Sequence, residues 1–315
     1  MPRPLPGHLF LRRTLIGLFR QVWHNAPMAS LPRLALESTI LTHGVPRSAA
    51  AELARDLSAL CRLNGAQPAL VGIFRGRPTA ELTEDELTEM LRQSDIAKAN
   101  TSNLGVLLHR KAHASTTVAA TMEIAATAGI RVFATGGIGG VHQGFANHLD
   151  ISSDLAAFTR FPVAVISSGV KSILDVVSTR ELLESLGVPV IGFGTDSFPA
   201  FYLRSSRAGV DARFDDVASL AEFVSAELSR TGRGILIVNP IPPADELNPS
   251  QFESWLEEAR RRIPPGVPGR SATPLLLGGL HEVSAGATLR ANLSLIRSNT
   301  TLGARLAAAL GVSGG

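Results

Sequence analysis

Short apolar runs alternate with amphipathic helical segments from residue 34 onward. Most of the runs end at a turn signal, which is typical of strands buried on both faces. The predicted strands are 34–40, 69–74, 131–135, 163–167, 188–193 and 234–238. Three- and four-residue apolar spacing between them predicts helices over 47–64, 83–92, 115–129, 172–187 and 216–230. This alternation predicts an α/β domain with helices on both faces of a largely parallel or mixed sheet.

The pattern changes after Pro240 and becomes helical only. It is interrupted by a proline-rich loop at 263–270 and ends with a helix that begins at Ala287 and ends at Leu310. Two of the earlier predicted helices are followed by Gly129 and Gly187, and a glycine in that position is typical of a helix C-terminal cap.

An acid-free segment precedes the domain. Residues 1–36 carry five Arg and no Asp or Glu, and apolar positions recur at helical spacing between Leu11 and Val22. A basic amphipathic N-terminal helix is typical of a mitochondrial transit peptide; the alternative is an extension or a mistaken start codon. We assign 1–33 to this segment and 34–311 to the domain, with mitochondrial localisation for a transit peptide and cytoplasmic localisation otherwise.

Charge and composition argue against a nucleic-acid-binding protein, a membrane-spanning protein and a disulfide-rich protein. The net charge of +3 comes from the N-terminal segment, because beyond residue 36 there are 25 basic and 27 acidic residues. With 5% aromatic residues and no basic stripe, a nucleic-acid partner is not expected. The longest stretch free of charged residues, 132–149, contains five glycines and cannot cross a membrane. The single cysteine, Cys61, excludes a disulfide framework and is expected to be a small buried side chain.

Lysine is rare in this chain. Of the 30 basic residues only Lys98, Lys111 and Lys171 are lysines. Arginine keeps its proton, whereas a desolvated lysine can attack a carbonyl and form a Schiff base. Lys171 follows the apolar run 163–170, where a strand ends and a helix begins, and ligands of open α/β sheets bind at that edge. Lys171 is therefore the candidate nucleophile; a surface lysine in a turn is the alternative.

A glycine-rich segment, 136–140, follows the predicted strand 131–135. Its glycines either allow positive φ and close approach of the backbone to an anion or only form a tight loop. Potential metal ligands are concentrated just after it: His142, His148, Asp150 and Asp154. This donor set favours Mg²⁺ or Mn²⁺ over Zn²⁺ and leaves water in the metal's shell. The alternative is that Asp150 or Ser152 caps the next helix.

Glu37 interrupts the apolar strand 34–40. A carboxylate in that setting is either paired or has a raised pKa, and a raised pKa suits a general acid. A capping or edge position is the alternative.

Six motifs occur in order along the domain. They are ALESTI at 35–40, TTVAATM at 116–122, FATGGIGGVH at 133–142, LDISSDL at 149–155, GVKSILD at 169–175 and NPIP at 239–242. Over residues 34–311 the chain thereby resembles the pseudouridine-5'-phosphate glycosidase family, which includes the indigoidine synthase A proteins. The resemblance implies reversible hydrolysis of the carbon–carbon glycosidic bond of pseudouridine 5'-phosphate to uracil and ribose 5-phosphate. It also implies Mn²⁺ or another divalent cation, a three-layer α/β/α sandwich, a homotrimer and a pathway link to a pseudouridine kinase.

The resemblance also implies roles for single residues. Lys171 matches the family's Schiff-base nucleophile, Glu37 its proton donor and Asp150 its metal ligand, reached partly through water. The remaining matches are positions that contact substrate or line the pocket: Lys98, Val118, Ser152, Ser153, Asp154, Thr135, His142 and Asn292.

Cleavage of a carbon–carbon bond to uracil needs an electron sink, because there is no heteroatom leaving group to protonate as in ordinary glycosidases. Protonation of the ring oxygen by Glu37 opens the sugar. Lys171 is then expected to form an iminium at the former anomeric carbon, after which a retro-aldol-like step releases uracil and hydrolysis frees ribose 5-phosphate. Two alternatives remain open: another Schiff-base phosphosugar lyase or aldolase, and a non-catalytic metabolite-binding protein.

Three positions depart from the family pattern. Gly is usual where this chain has Ala114, Arg where it has Gln143, and Ala where it has Ser153. Gln143 removes a charge beside the glycine-rich segment, so substrate affinity is the property most expected to change. Every catalytic match is retained, which predicts an active enzyme.

Overall fold

The computed structural model describes residues 31–144, 149–263 and 269–312. Its strands are β1 (Arg33–Glu37), β2 (Gln67–Phe74), β3 (Arg77–Thr79), β4 (Ala97–Ala99), β5 (Ala114–Thr116), β6 (Val132–Ala134), β7 (Ala164–Ser167), β8 (Val190–Phe193), β9 (Ala212–Phe214) and β10 (Ile235–Val238). Its α-helices are α1 (Thr39–His43), α2 (Arg47–Leu63), α3 (Glu84–Arg92), α4 (Leu104–His109), α5 (Val118–Thr127), α6 (Ser153–Phe158), α7 (Val176–Ser185), α8 (Val217–Thr231), α9 (Pro249–Arg261), α10 (Gly269–Val283) and α11 (Ala287–Val312). Residues 1–30 of the proposed transit peptide and His148 lie outside the described residues. Arg33, which was assigned to that segment, is the first residue of β1.

The strands of the described residues form one ten-stranded sheet. Its order is β4-β5-β2-β1-β6-β7-β10-β8-β9, with β3 beside β2. β2 pairs antiparallel with β3 and β5, and the other pairs are parallel. The sheet is therefore mixed but largely parallel, as predicted.

Helices cover both faces of the sheet because the central strands are apolar on both faces. In β1, the consecutive residues Leu34 and Ala35 point to opposite faces and are both fully buried. α11 packs across β1, β6 and β7 and contacts α2 and α8, whereas α5 packs against β1, β2 and β5 and contacts α6. This arrangement confirms the three-layer α/β/α fold. None of the helices in the described part of the chain is long and apolar enough to span a membrane.

The predicted elements are present, with three boundaries shifted by three residues or more. The helix predicted over 115–129 begins at Val118, because residues 114–116 form β5. The strand predicted over 34–40 ends at Glu37, because the Ser38 carbonyl accepts hydrogen bonds from two amides of α1. The helix predicted from residue 172 begins at Val176, because Asp175 caps it by accepting from the Ser178 amide at 2.9 Å. Lys171 thus lies in a turn that precedes α7 by several residues rather than immediately before the helix.

The predicted glycine caps and the buried cysteine are confirmed. Gly129 and Gly187 have φ of +72° and +66°, in the left-handed region that suits glycine after a helix. Cys61 is fully buried on α2. The elements that the pattern missed are short: β3, β4, β5, β9, α1, α4 and α6.

Candidate active site

A cavity of about 310 Å³ opens at the carboxyl ends of the central strands. Three charged side chains line it: Glu37 at the end of β1, Lys98 on β4 and Lys171 after β7. The rest of the lining includes Thr39, Ile40, His43, Val45, Pro46, Phe201, Tyr202, His281 and Asn292. Four predicted site residues, among them Asn292, therefore meet at the edge where open α/β sheets bind ligands.

The carboxyl group of Glu37 is buried at the end of its strand, with the residue 7% exposed. Burial raises its pKa, while the charge of Lys171 and a hydrogen bond donated by Thr135 to Oε1 oppose that rise. The next residue is held in place, because Ser38 Oγ accepts from the Thr116 amide at 3.1 Å. Glu37 thus has the raised pKa that was expected of a general acid.

The two amines of the cavity lie in different surroundings. Burial and the charge of Lys171 lower the pKa of Lys98, while Glu37 raises it. The backbone of Lys171 is held on both sides, since its amide donates to the Ile138 carbonyl at 3.1 Å and its carbonyl accepts from the Leu174 amide at 2.9 Å. Lys171 is therefore placed by pairing between its own turn and the glycine-rich segment.

Asn299 on α11 connects the ends of three neighbouring strands. Its Nδ2 donates to the Thr135 carbonyl at 2.8 Å and to Ser168 Oγ at 3.1 Å. Its Oδ1 accepts from Asn239 Nδ2 at 3.0 Å, which ties the NPIP motif to the same network. The residue is fully buried. The sequence analysis missed it, although an Asn on the buried face of the last predicted helix was a signal for such a role.

The glycine-rich segment packs closely against protein side chains. A Cβ on Gly137 would lie 2.5 Å from Phe201 Cδ2, and one on Gly139 would lie 2.3 Å from Ser152 Oγ. None of Gly136, Gly137, Gly139 and Gly140 has a positive φ, so the expected left-handed conformation is wrong. The close approach seen here is to protein side chains, so space rather than backbone conformation requires glycine, and an approach to an anion stays a prediction.

Gly139→Ala is expected to lower the free energy of unfolding by about 2–3 kcal/mol, because the new methyl group overlaps Ser152. Gly105→Ala is the matched control, since a Cβ there meets no atom within 4 Å and the residue lies in α4. Urea unfolding of both variants measures the difference. Equal midpoints would show that the segment is not tightly packed.

Asp154 is engaged by the protein backbone. Its Oδ1 accepts from the Ala119 amide at 2.9 Å and its Oδ2 from the Gly139 amide at 2.8 Å, and the residue is 4% exposed. Ser152 caps α6, as one alternative held. The predicted substrate-contact or pocket-lining residues that do not line the cavity are Val118, Thr135, His142, Ser152, Ser153 and Asp154, although Thr135 donates a hydrogen bond to Glu37. The charge of Asp154 nevertheless raises the pKa of Glu37, so this group lies near the cavity and its substrate contacts stay predictions.

His142 and Asp150 form the candidate metal site. Their Nδ1 and Oδ2 atoms are 3.7 Å apart, and neither residue lines the cavity. Across the described ranges, no group of three or more His, Cys, Asp or Glu side chains is placed to hold a metal ion. The described donors fit a cation only if water completes most of its shell.

The structure shows the contacts of two of the residues that depart from the family pattern, Gln143 and Ala114. Gln143 Oε1 accepts from Arg260 Nη2 at 2.7 Å, so an arginine at this position would face a like charge. Ala114 is fully buried in β5 opposite Ile73. Neither residue lines the cavity, and an effect of Gln143 on substrate affinity stays a prediction.

The cavity also contains residues that the sequence analysis missed. Burial and the charge of Lys98 lower the pKa of His43 to about 4. Burial raises the pKa of the Tyr202 phenol and lowers that of the His281 imidazole. The only sequence signal was for His43, which follows the ALESTI motif by three residues.

Comparison with known proteins gives a consistent result. A family model described as indigoidine synthase A like protein matches residues 24–309. The chain is 44% identical over 279 residues to the pseudouridine-5'-phosphate glycosidase of Nocardioides sp., which covers 88% of this chain and 91% of that protein. It is 43% identical over 293 residues to the enzyme of the same name from Geobacillus kaustophilus, covering 92% and 97%. Both relatives are bacterial and lend no support to a mitochondrial localisation.

Two solved structures are similar over most of the chain. One is an indigoidine synthase A-like protein from Thermotoga maritima, with a TM-score of 0.82, 35% identity, and coverage of 89% of this chain and 94% of that one. The other is the prealnumycin C-glycosynthase AlnA in complex with ribulose 5-phosphate, with a TM-score of 0.83, 35% identity, and coverage of 90% and 92%.

Proposed function

Because the chain belongs to the indigoidine synthase A like protein family, we propose that it cleaves the carbon–carbon glycosidic bond of pseudouridine 5'-phosphate. The products are uracil and ribose 5-phosphate. The match to the family model and to the named relatives confirms the family resemblance that was inferred from the six motifs. Relatives named for this glycosidase activity, and a similar structure of a C-glycosynthase with a pentulose phosphate, support the substrate class.

One observation carries the proposal. The cavity combines a buried carboxyl group with a raised pKa, on Glu37, and two amines, on Lys98 and Lys171. An acid and an amine are the two groups that this bond cleavage needs, because the sugar ring must open and the carbon–carbon bond needs an electron sink.

The chemistry then proceeds in balanced steps. Glu37 gives its proton to the ring oxygen as the C1'–O bond breaks, and Lys171 Nζ forms a bond to C1' and loses a proton. The C1'–C5 bond breaks next: C5 of the base takes a proton, and the nitrogen lone pair forms a C=N bond to C1'. Water hydrolyses this Schiff base, which releases ribose 5-phosphate and restores the free amine.

The deciding experiment joins product detection with trapping. Purified protein with Mn²⁺ and pseudouridine 5'-phosphate is expected to release uracil. Borohydride with ribose 5-phosphate is expected to leave a ribityl phosphate adduct on Lys171, located by peptide mass spectrometry. An adduct without uracil release would favour a phosphosugar lyase, and the absence of both would favour a binding protein.

For the metal, we propose that Asp150 holds Mn²⁺ or another divalent cation largely through water. Support comes from the exposure of its side chain, 45%, and from the His142 imidazole beside it. When bound, the cation would neutralise negative charge on the substrate. No step of the bond cleavage is assigned to it.

The Asp150→Asn substitution is expected to weaken Mn²⁺ binding by at least about 10-fold in titration calorimetry, since a charged ligand is lost. Asp85→Asn, an exposed carboxylate in the first turn of α3, is the matched control. Equal affinities for the two variants would remove Asp150 as the ligand.

We also propose that the chain assembles as a homotrimer and acts on the product of a kinase that phosphorylates a C-nucleoside. A phosphate is part of the proposed substrate, so a phosphoryl-transfer reaction must supply it. Light scattering tests the assembly: a mass near three times 33.2 kDa is expected, and a monomer would contradict it.

A further inference from the structure

Among the polar side chains of the cavity that take no part in the bond cleavage described above, two lie on the last pair of helices. They are His281 on α10 and Asn292 on α11, both in the cavity lining. Asn292 is 8% exposed, and its Oδ1 is buried without a hydrogen-bond partner in the described part of the protein. Its Nδ2 donates to the Gly44 carbonyl at 3.4 Å. A buried acceptor left unpaired is costly, so a ligand that donates to it gains affinity.

His281 is oriented by hydroxyl groups behind it. Its Nδ1 lies 2.7 Å from Thr288 Oγ1, which lies 3.0 Å from Ser284 Oγ. Ser284 Oγ accepts from the Thr288 amide at 3.3 Å, and its own proton has two acceptors in reach, the His281 carbonyl at 3.4 Å and Thr288 Oγ1 at 3.0 Å. The shorter contact assigns this proton to Thr288 Oγ1. The Thr288 proton then goes to Nδ1 of the imidazole. Nδ1 is thereby an acceptor, and Nε2 carries the hydrogen.

The Nε2 atom of His281 has no hydrogen-bond partner among the residues that the structure describes. Burial lowers the pKa of the ring, so the neutral form persists near neutral pH. The helix pair α10 and α11 therefore presents one N–H donor, from His281, and one carbonyl acceptor, from Asn292, to the same cavity.

We propose that His281 and Asn292 bind the leaving base, with His281 Nε2 donating to a ring carbonyl and Asn292 Oδ1 accepting from a ring N–H. A pyrimidine dione such as uracil carries these two groups side by side. Cytosine presents an amino group and an unprotonated nitrogen there, which matches the pair less well. The site would thus select an imide-bearing base. This inference rests on the proposed function, and it makes His281 a specificity-determining residue.

The His281→Ala variant is expected to raise KM for pseudouridine 5'-phosphate by about 5- to 30-fold, the usual effect of losing one hydrogen bond in a buried site. The borohydride trapping of ribose 5-phosphate, which lacks the base, should change by less than about twofold. His281→Gln retains an N–H donor and is expected to recover part of the loss. His109→Ala, an exposed residue at the end of α4, is the control for removal of a histidine.

Uracil binding, measured by calorimetry in the presence of ribose 5-phosphate, separates this inference from the proposed function. A wild-type protein that releases no uracil but binds it, with weaker binding by His281→Ala, would overturn the function and support the inference. A KM for His281→Ala within about twofold of wild type would overturn the inference alone. Should the alanine variant fail to fold by circular dichroism, His281→Phe, which keeps a ring but has no N–H donor, is measured instead, with the same twofold criterion applied to KM for pseudouridine 5'-phosphate.

Discussion

Replacement of Lys171 by arginine is expected to lower kcat for uracil release by at least about 1000-fold and to abolish the borohydride adduct. Arginine keeps the positive charge and most of the length but provides no free amine. Because the backbone of Lys171 is held by Ile138 and Leu174, the fold should be retained, with an unfolding midpoint close to that of wild type.

Lys111→Arg is the matched control, since it makes the same chemical change outside the cavity, at an exposed residue that follows α4. It is expected to leave kcat unchanged. The cavity contains a second candidate amine, because the pKa of Lys98 is lowered. Peptide mapping decides between them: an adduct on Lys98, or activity in Lys171→Arg, would move the nucleophile away from Lys171.

Glu37→Gln is expected to lower kcat by about 100- to 10,000-fold, because the amide cannot supply a proton to the ring oxygen. The raised pKa keeps the Glu37 carboxyl protonated above its usual range. Activity of the wild type should therefore fall as the pH rises through that raised pKa. The hydrogen bond from the Thr135 hydroxyl lowers the pKa of Glu37. Thr135→Val removes this hydroxyl and should therefore move the basic limb of the pH profile to higher pH.

The same pKa has a consequence for stability. A carboxyl with a raised pKa in the folded state binds more protons than the unfolded chain above pH 4.5, so the wild type loses stability as the pH rises through that window. Glutamine does not titrate. Urea unfolding should show that the free energy of unfolding of Glu37→Gln increases relative to that of wild type as the pH rises. Below the usual carboxyl range, the difference between the two proteins should not change with pH. A gap that narrows with increasing pH would mean that the charged form is favoured in the folded protein.

Much of the fold could be predicted because long elements repeat their apolar pattern several times. α2, α8 and α11 each show it over many turns, and their observed boundaries lie within a few residues of the predicted ones. The strands β3, β4, β5 and β9 have three residues each, which is too few for an alternation to be recognised. Two of them, β4 and β5, form the end of the sheet on which Lys98 lies.

The candidate site was partly predictable for a different reason. Glu37 and Lys171 stand out in the sequence. Glu37 is a charged residue in an otherwise apolar strand, and Lys171 is one of the few lysines in the chain. His281 and Asn299 do not stand out, because a single polar residue is common in an amphipathic helix. Asp154 shows what the pattern left out: in the described residues its oxygens accept hydrogen bonds from backbone amides, and its contact with substrate stays a prediction.

By itself, the sequence determined the order of the longer strands and helices, the layered α/β class and the two residues most suited to acid and amine chemistry. These depend on local periodicity and on the chemistry of single side chains. Only the tertiary structure decided that Glu37, Lys98 and Lys171 share one cavity, and that burial raises one pKa and lowers another. Desolvation and charge interactions depend on distances between residues far apart in the chain, and those distances are set by strand order and packing.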